Sequence, residues 1–205
     1  MIIIAGIDPS MKNTAVITSD PLAGPEAFNI KCFNSPTEAS DMRTRIKRYE
    51  GFVGEITNYL VGMKVTHIFL EAYAYAAQGS VIALAELGGI LRWHLCDEEL
   101  FPFAMEVTPN QLKKFATGKG NADKVGVVSA IARTYNVALH SSDEHDAYAL
   151  WRIGRCYLEI DQPRTKDAAS VIESLKTGVT PKRKDVKQPR AKPAPPPPPS
   201  ADMPF

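Results

Sequence analysis

Cysteine is scarce in this 205-residue chain, and the three that occur, Cys32, Cys96 and Cys156, are scattered with no CxxC pair. An odd, unpaired set excludes a disulfide framework and a cysteine-built zinc site, and it fits a reducing cytoplasm. No run of about 18 apolar residues occurs, so nothing is expected to span a membrane. The apolar opening Met1–Ile7 stops at Asp8, too early for a signal peptide. Net charge is also nearly absent, at +1, but it is unevenly spread. Residues 176–205 carry seven bases (Lys176, Lys182, Arg183, Lys184, Lys187, Arg190, Lys192) against Asp185 and Asp202, a net of +5. The preceding 175 residues hold 17 of the 24 bases and 21 of the 23 acids, a net of −4. A body that binds nucleic acid through global positive charge is excluded, and any polyanion contact must come from local patches or from the tail.

What is present is enough for one packed domain: 44% of residues are hydrophobic and 23% charged. A folded body is expected over residues 1–160, with 161–176 a short helix or linker. Nine of the sixteen prolines fall at or after Pro181, so residues 177–205 read as a disordered basic, proline-rich tail, with polyproline II at Pro195–Pro199. Strands are expected at Ile2–Ile7, Thr14–Thr18, Ala27–Phe33, Val65–Leu70 and Phe101–Val107. The spacing of Ile46, Tyr49, Phe52, Val53, Ile56 and Leu60 predicts a helix over Asp41–Met63. Further helices are predicted at Ser80–Cys96, from Thr108 (N-cap) to Phe115, from Asn121 (N-cap) to Tyr135, and after Ser141, where Glu144 completes a capping box. The class is α/β, a mixed five-stranded sheet flanked by helices.

Two apolar strands each end in a carboxylate, at Ile7–Asp8 and Leu70–Glu71. Ionised carboxylates beside such runs are costly unless paired or bound to metal. Strand ends are where sites form in open α/β sheets. The last predicted helix adds Asp143 and Asp146, which share one face at i, i+3. Four carboxylates converging on one point would repel unless a divalent cation neutralised them. Hard oxygen donors suit Mg²⁺, with Mn²⁺ as a substitute. Two such ions could activate a water and stabilise the leaving oxygen of a phosphodiester. Taken singly, each acid has an ordinary explanation, such as a helix-start signal or a turn residue.

Four segments in order carry a family resemblance: Ala5-Gly6-Ile7-Asp8-Pro9-Ser10 with Asn13-Thr14, then Ile68-Phe69-Leu70-Glu71, then Gly118-Lys119-Gly120-Asn121-Ala122-Asp123-Lys124, then Asp143-Glu144-His145-Asp146-Ala147. Together they resemble the RuvC-type Holliday junction resolvases over about residues 2–157. The resemblance implies an RNase H-like fold, a homodimer, and Mg²⁺-dependent incision of branched DNA. It puts Asp8, Glu71, Asp143 and Asp146 on the catalytic, metal-holding acids. It puts Lys113 and Lys124 on basic residues near the scissile phosphate, Lys124 offsetting charge there. Ser10 and Ala15 stand where glycines are usual. Tyr73 and Tyr75 flank Ala74, the position of a junction-stacking aromatic, and tyrosines can stack on bases.

Beside these, Lys113, Lys114, Lys119 and Lys124 form the basic cluster of the body and are read as phosphate contacts in the light of the resemblance. Arg43, Arg45, Lys47 and Arg48 read as a solvated helix face. His145 reads as a supporting or solvent histidine, and Trp93 and Trp151 as core or dimer-interface residues. Leu84, Leu87 and Leu91 with Gly88 are expected to bury one protomer against another. The terminus Ala201-Asp202-Met203-Pro204-Phe205 resembles the acidic tip of bacterial single-stranded-DNA-binding proteins. Asp202, Pro204 and Phe205 would then dock on replication or repair proteins. The tail grafted on a compact body fits a phage-type member. The rival functions are a non-catalytic DNA-binding adaptor on the same fold and a nuclease for flaps or packaging intermediates. A sugar kinase or actin-like ATPase would need a second domain that this length does not supply.

Overall fold

The computed structural model describes residues 1–10, 13–20, 22, 24, 26–34, 41–73 and 81–178. Tyr75 and residues 179–205 of the proline-rich tail, including Asp202, Pro204 and Phe205, lie outside the described residues.

Five strands form one sheet: β1 (Ile4–Asp8), β2 (Asn13–Ser19), β3 (Phe28–Asn34), β4 (His67–Glu71) and β5 (Phe103–Val107), in the order β3-β2-β1-β4-β5. The first three are an antiparallel meander, while β4 runs parallel to β1 and β5 parallel to β4. The C-terminal ends of β1, β4 and β5 therefore lie along one edge. Six helices complete the described fold: α1 (Met42–Gly62), α2 (Val81–Leu95), α3 (Pro109–Thr117), α4 (Lys124–Tyr135), α5 (Ser142–Tyr157) and α6 (Lys166–Thr177).

The sheet divides two apolar cores. One, under α1 and α2, takes Ile3 just before β1, Ala5 and Ile7 of β1 and Ile68 and Leu70 of β4, together with Phe52, Val53, Ile56, Leu87 and Leu91. The other, under α3 to α6, takes Ile4 of β1, Phe69 of β4, Val107 of β5, and most of α5. Strand side chains alternate between faces. Ile4 and Phe69 thus put Asp8 and Glu71, at even offsets, on the face that α5 covers.

Helix α5 lies against β1 with almost no gap. An added Cβ on Gly6 would stand 2.2 Å from the Ala147 carbonyl oxygen and 2.4 Å from the Trp151 nitrogen. Trp151 is fully buried and donates its indole N–H to Ser19 Oγ at 2.9 Å. Further along α5, Arg152 and Arg155 are buried and share Asp161, with hydrogen bonds of 2.6–2.9 Å, and both reach Glu26. Burial works to raise the Asp161 carboxyl, but the hydrogen bonds and charges of Arg155 and Arg152 outweigh it and hold its pKa low.

Several sequence expectations are corrected at the helix ends. Asp123, not Asn121, caps α4: its carboxylate accepts the Gly126 N–H at 2.7 Å, while residues 119–122 turn back on themselves through Ala122 N–H to Lys119 O. Both residue types cap helices, and the turn decides between them. Ser141 does cap α5, accepting from Glu144 N–H, but Glu144 closes no box. Its carboxylate accepts the His140 N–H at 2.8 Å instead. The reciprocal box occurs at α3, between Thr108 and Gln111. Helix α6 packs Ala168, Val171 and Ile172 into the core under α5. It also ties to α3, with Gln111 Nε2 donating to Ser174 Oγ at 3.3 Å and Lys114 Nζ to Ser170 Oγ at 2.8 Å.

Candidate active site

Parallel pairing of Ile7 with Leu70 brings Asp8 and Glu71 side by side at the ends of β1 and β4. The contact of Gly6 with Ala147 and Trp151 fixes where α5 crosses. One helical turn before Ala147 is Asp143, and one residue before it is Asp146. A turn advances about 5.4 Å, close to the two-residue step of about 6.6 Å from Gly6 to Asp8. All four acids are thereby gathered on one face at one sheet edge.

Their mutual influence is plain in their acidities. Asp8, only 6% exposed, is pushed well above the usual carboxylate range. Burial is the largest cause, followed by the charges of Glu71 and Asp146, a hydrogen bond with Glu71, and the charge of Asp143. Burial also raises Glu71, against that hydrogen bond and the charges of Lys124 and Lys113. Asp146 is pushed up to about 7, first by burial and then by the charge of Glu71. Burial and neighbouring negative charge thus favour the protonated forms of Asp8 and Asp146, as expected when acids are gathered out of water. The donor set is entirely hard oxygen, as Mg²⁺ prefers. Among the described residues no three Asp, Glu, His or Cys side chains are gathered as a ready-made ion cage. The fit is therefore one of donor chemistry and charge.

The predicted lysines divide. Lys124 heads α4 as its first residue and places Nζ 3.7 Å from Asp143 Oδ1, with its side chain largely in solvent. Lys113 is close enough for its charge to lower the pKa values of Glu71 and Asp146, against the burial that raises them. Lys114 turns away and engages Ser170 and Asp167 on α6. Lys119 is exposed on the turn before α4. Tyr73 packs on α2, its ring under the guanidinium of Arg92 at 3.8 Å.

His145 does not face solvent. It is buried, and its Nδ1 hydrogen donates to the Ser141 carbonyl at 2.7 Å. Sequence reasoning passed over two neighbours of the site. Glu144 is buried and accepts weakly from Cys32 Sγ at 3.7 Å. Burial raises the Cys32 thiol, as do Glu144 and Asp143, against a hydrogen bond from Asn13. The sequence marks Glu144 only as a capping candidate and Cys32 only as an unpaired thiol, so only the fold brings the two together. Leu87, Leu91 and Gly88 are also corrected: the two leucines belong to the chain's own core, and Tyr73 fills the notch at Gly88. The face that α2 leaves open carries Ile82 (78% exposed) and Trp93 (82% exposed) instead.

Among the described residues no helix is long and apolar enough to cross a membrane. Two solved structures share the fold: Thermus thermophilus RuvC in complex with a Holliday junction substrate, at 14% identity and TM-score 0.57, and Thermus thermophilus RuvC itself, at 17% identity and TM-score 0.57. Each match covers 78% of this chain and 96% of the other. The model of the family described as "Crossover junction endodeoxyribonuclease RuvC" matches residues 4–151, spanning β1 through most of α5 and all four acids. With its mixed sheet and helices as the resemblance led one to expect, this chain belongs to the RuvC family of crossover junction endodeoxyribonucleases.

Proposed function

We propose that Asp8, Glu71, Asp143 and Asp146 form the catalytic centre of a Mg²⁺-dependent endonuclease that incises Holliday junctions. The supporting observation is the convergence of these four acids on one face of one sheet edge, where Asp8 and Asp146 both feel the charges of Glu71 and Asp143. The acids would hold Mg²⁺, or Mn²⁺ in its place, which supplies charge neutralisation and an activated water when bound. The residues themselves orient the reaction. Burial under α5 keeps Asp8 out of bulk water, and Lys113 and Lys124 bring positive charge to the phosphate. Hydrolysis breaks one P–O bond of the backbone, water supplying the new oxygen and the leaving oxygen taking a proton. Incubating the purified protein with four-way junction, flap and linear duplex DNA, with Mg²⁺ or with EDTA, tests this. Cleavage of the junction alone, abolished by EDTA, is expected. Equal or better flap cleavage would favour the flap or packaging nuclease, and tight binding without cleavage the adaptor.

The two lysines should differ. Lys113→Ala is expected to weaken junction binding and reduce the magnitude of its salt slope by about one. Lys124→Ala is expected mainly to slow cleavage at saturating DNA. Small, equal effects in filter binding and single-turnover assays would return both to an ordinary solvated surface.

Two symmetric incisions call for two copies. Ile82 and Trp93, a wide apolar exposure on one helix, are the surface proposed for pairing. Trp93→Glu is expected to convert a dimer to a monomer by light scattering, without loss of melting temperature. A wild-type monomer at micromolar concentration would refute the pairing.

The tail tip Asp202-Met203-Pro204-Phe205 is proposed to dock, ring and carboxylate first, on replication or repair proteins that bind single-stranded-DNA-binding protein tails. Phe205→Ala is expected to abolish binding of a labelled tail peptide to such a pocket while junction cleavage by the purified protein is unchanged.

A further inference from the structure

Arg92 lies half-buried on α2 and ties three parts of the molecule together. Its Nη2 donates to the backbone carbonyl of Glu71 at 3.0 Å. Its Nε donates to the Glu106 carboxylate on β5 at 2.5 Å, and its Nη1 to the Gly88 carbonyl one turn earlier at 3.1 Å. The guanidinium also stacks on Tyr73, whose hydroxyl donates to the Ala85 carbonyl at 3.2 Å. Gly88 makes the room: an added Cβ would stand 2.8 Å from Tyr73 Cε1 and 2.9 Å from Arg92 Nη1.

We propose that Arg92 is a positioning residue for the active site, locking the end of β4 so that the Glu71 carboxylate stays beside Asp8, and holding Tyr73 against α2. The inference rests on the proposed catalytic role of Glu71. Glu71 is the last residue of its strand, where the ladder alone no longer restrains the chain on both sides. A backbone carbonyl held at that point fixes the peptide from which the carboxylate projects. The guanidinium suits the task because it is planar and directs several donors at once. Here those donors meet two carbonyls and a carboxylate while one ring face is covered, so few other rotamers compete. Lysine offers charge but neither the fork nor the plane. A displacement of about 1 Å in a reacting group can cost about a hundredfold in rate.

The test compares wild type, Arg92→Ala, Arg92→Lys and Gly88→Ala in three measurements. These are single-turnover junction cleavage with Mg²⁺ at saturating protein, junction affinity in EDTA, and thermal melting. Arg92→Ala is expected to cut at least about tenfold more slowly with affinity within about twofold of wild type. Arg92→Lys, which keeps the charge beside Glu106, is expected to stay near the alanine rate. Gly88→Ala crowds Tyr73 and Arg92 without removing any charge and is expected to slow cleavage in the same way. It also carries the test if Arg92→Ala does not fold. Full activity in Arg92→Lys, or wild-type saturating rates in Gly88→Ala or in a folded Arg92→Ala, overturns the inference while leaving the proposed function standing. Absence of Mg²⁺-dependent junction cleavage by wild type overturns the proposed function itself.

Discussion

Replacing Asp146 with asparagine is expected to cut the rate of junction cleavage by at least about a hundredfold while making the metal-free protein more stable at pH 8. The two effects share one cause. Asp146 is held among three other acids, and burial with the charge of Glu71 raises its pKa to about 7. An acid whose folded pKa lies above its unfolded value binds its proton more tightly in the folded state. Its contribution to stability is therefore fully present below the unfolded value near 3.8 and is lost as pH rises through about 7. Asp8 and Glu71, raised by burial as well, act with the same sign. Wild-type protein in EDTA should melt at a lower temperature at pH 8 than at pH 5, and Mg²⁺ should restore most of the difference. The asparagine variant should lose part of that pH dependence, because an amide carries no charge to repel. For the same reason it is a poorer ligand and no longer balances a cation. Melting curves across pH 5–8 with and without Mg²⁺, beside single-turnover cleavage, check both halves. Wild-type cleavage by Asp146→Asn would remove the four-acid centre. A metal-free melting temperature that rises steadily with pH would contradict the acidities assigned to the cluster.

Gly6→Ala is expected to be the most damaging of the small substitutions. The new methyl group would meet the Ala147 carbonyl oxygen at 2.2 Å and the Trp151 nitrogen at 2.4 Å. Both are backbone atoms of α5, so no side-chain rotation relieves the contact and the helix must move as a body. We expect a loss of at least about 3 kcal/mol, or about 6–12 °C in melting temperature for a chain of this size. Cleavage should fall beyond what unfolding explains, because moving α5 carries Asp143 and Asp146 away from Asp8. Gly51→Ala is the control. Gly51 is exposed on α1, and an added Cβ meets nothing within 4 Å, so that change should be neutral or stabilise by about 0.5–1 kcal/mol. A Gly6→Ala protein that melts like Gly51→Ala would show that α5 can be lifted from the sheet at little cost.

The sequence alone determined the order of elements, the two strand-end acids and the helical pair, because each rests on short-range chemistry. Apolar β-branched runs make buried strands, a carboxylate at the end of such a run is conspicuous, and i, i+3 spacing puts Asp143 and Asp146 on one helix face. The family resemblance then joined residues separated by more than a hundred positions, which local periodicity cannot do. Tertiary structure decided what depends on which face is covered. Helix α2 is apolar nearly all round, so its sequence did not reveal that Leu87 and Leu91 enter the chain's own core while Trp93 stays outside. Asn121 and Asp123 are both competent caps, and only the turn at 119–122 selects the second. Lys113 and Lys114 are adjacent in the chain, yet helical geometry sends one toward Glu71 and Asp146 and the other to α6. The role of Arg92 is further still from the sequence. Its partners come from two separate segments, Glu71 with Tyr73 at the end of β4 and Glu106 on β5, brought around one guanidinium because parallel pairing sets the ends of β4 and β5 side by side beneath α2.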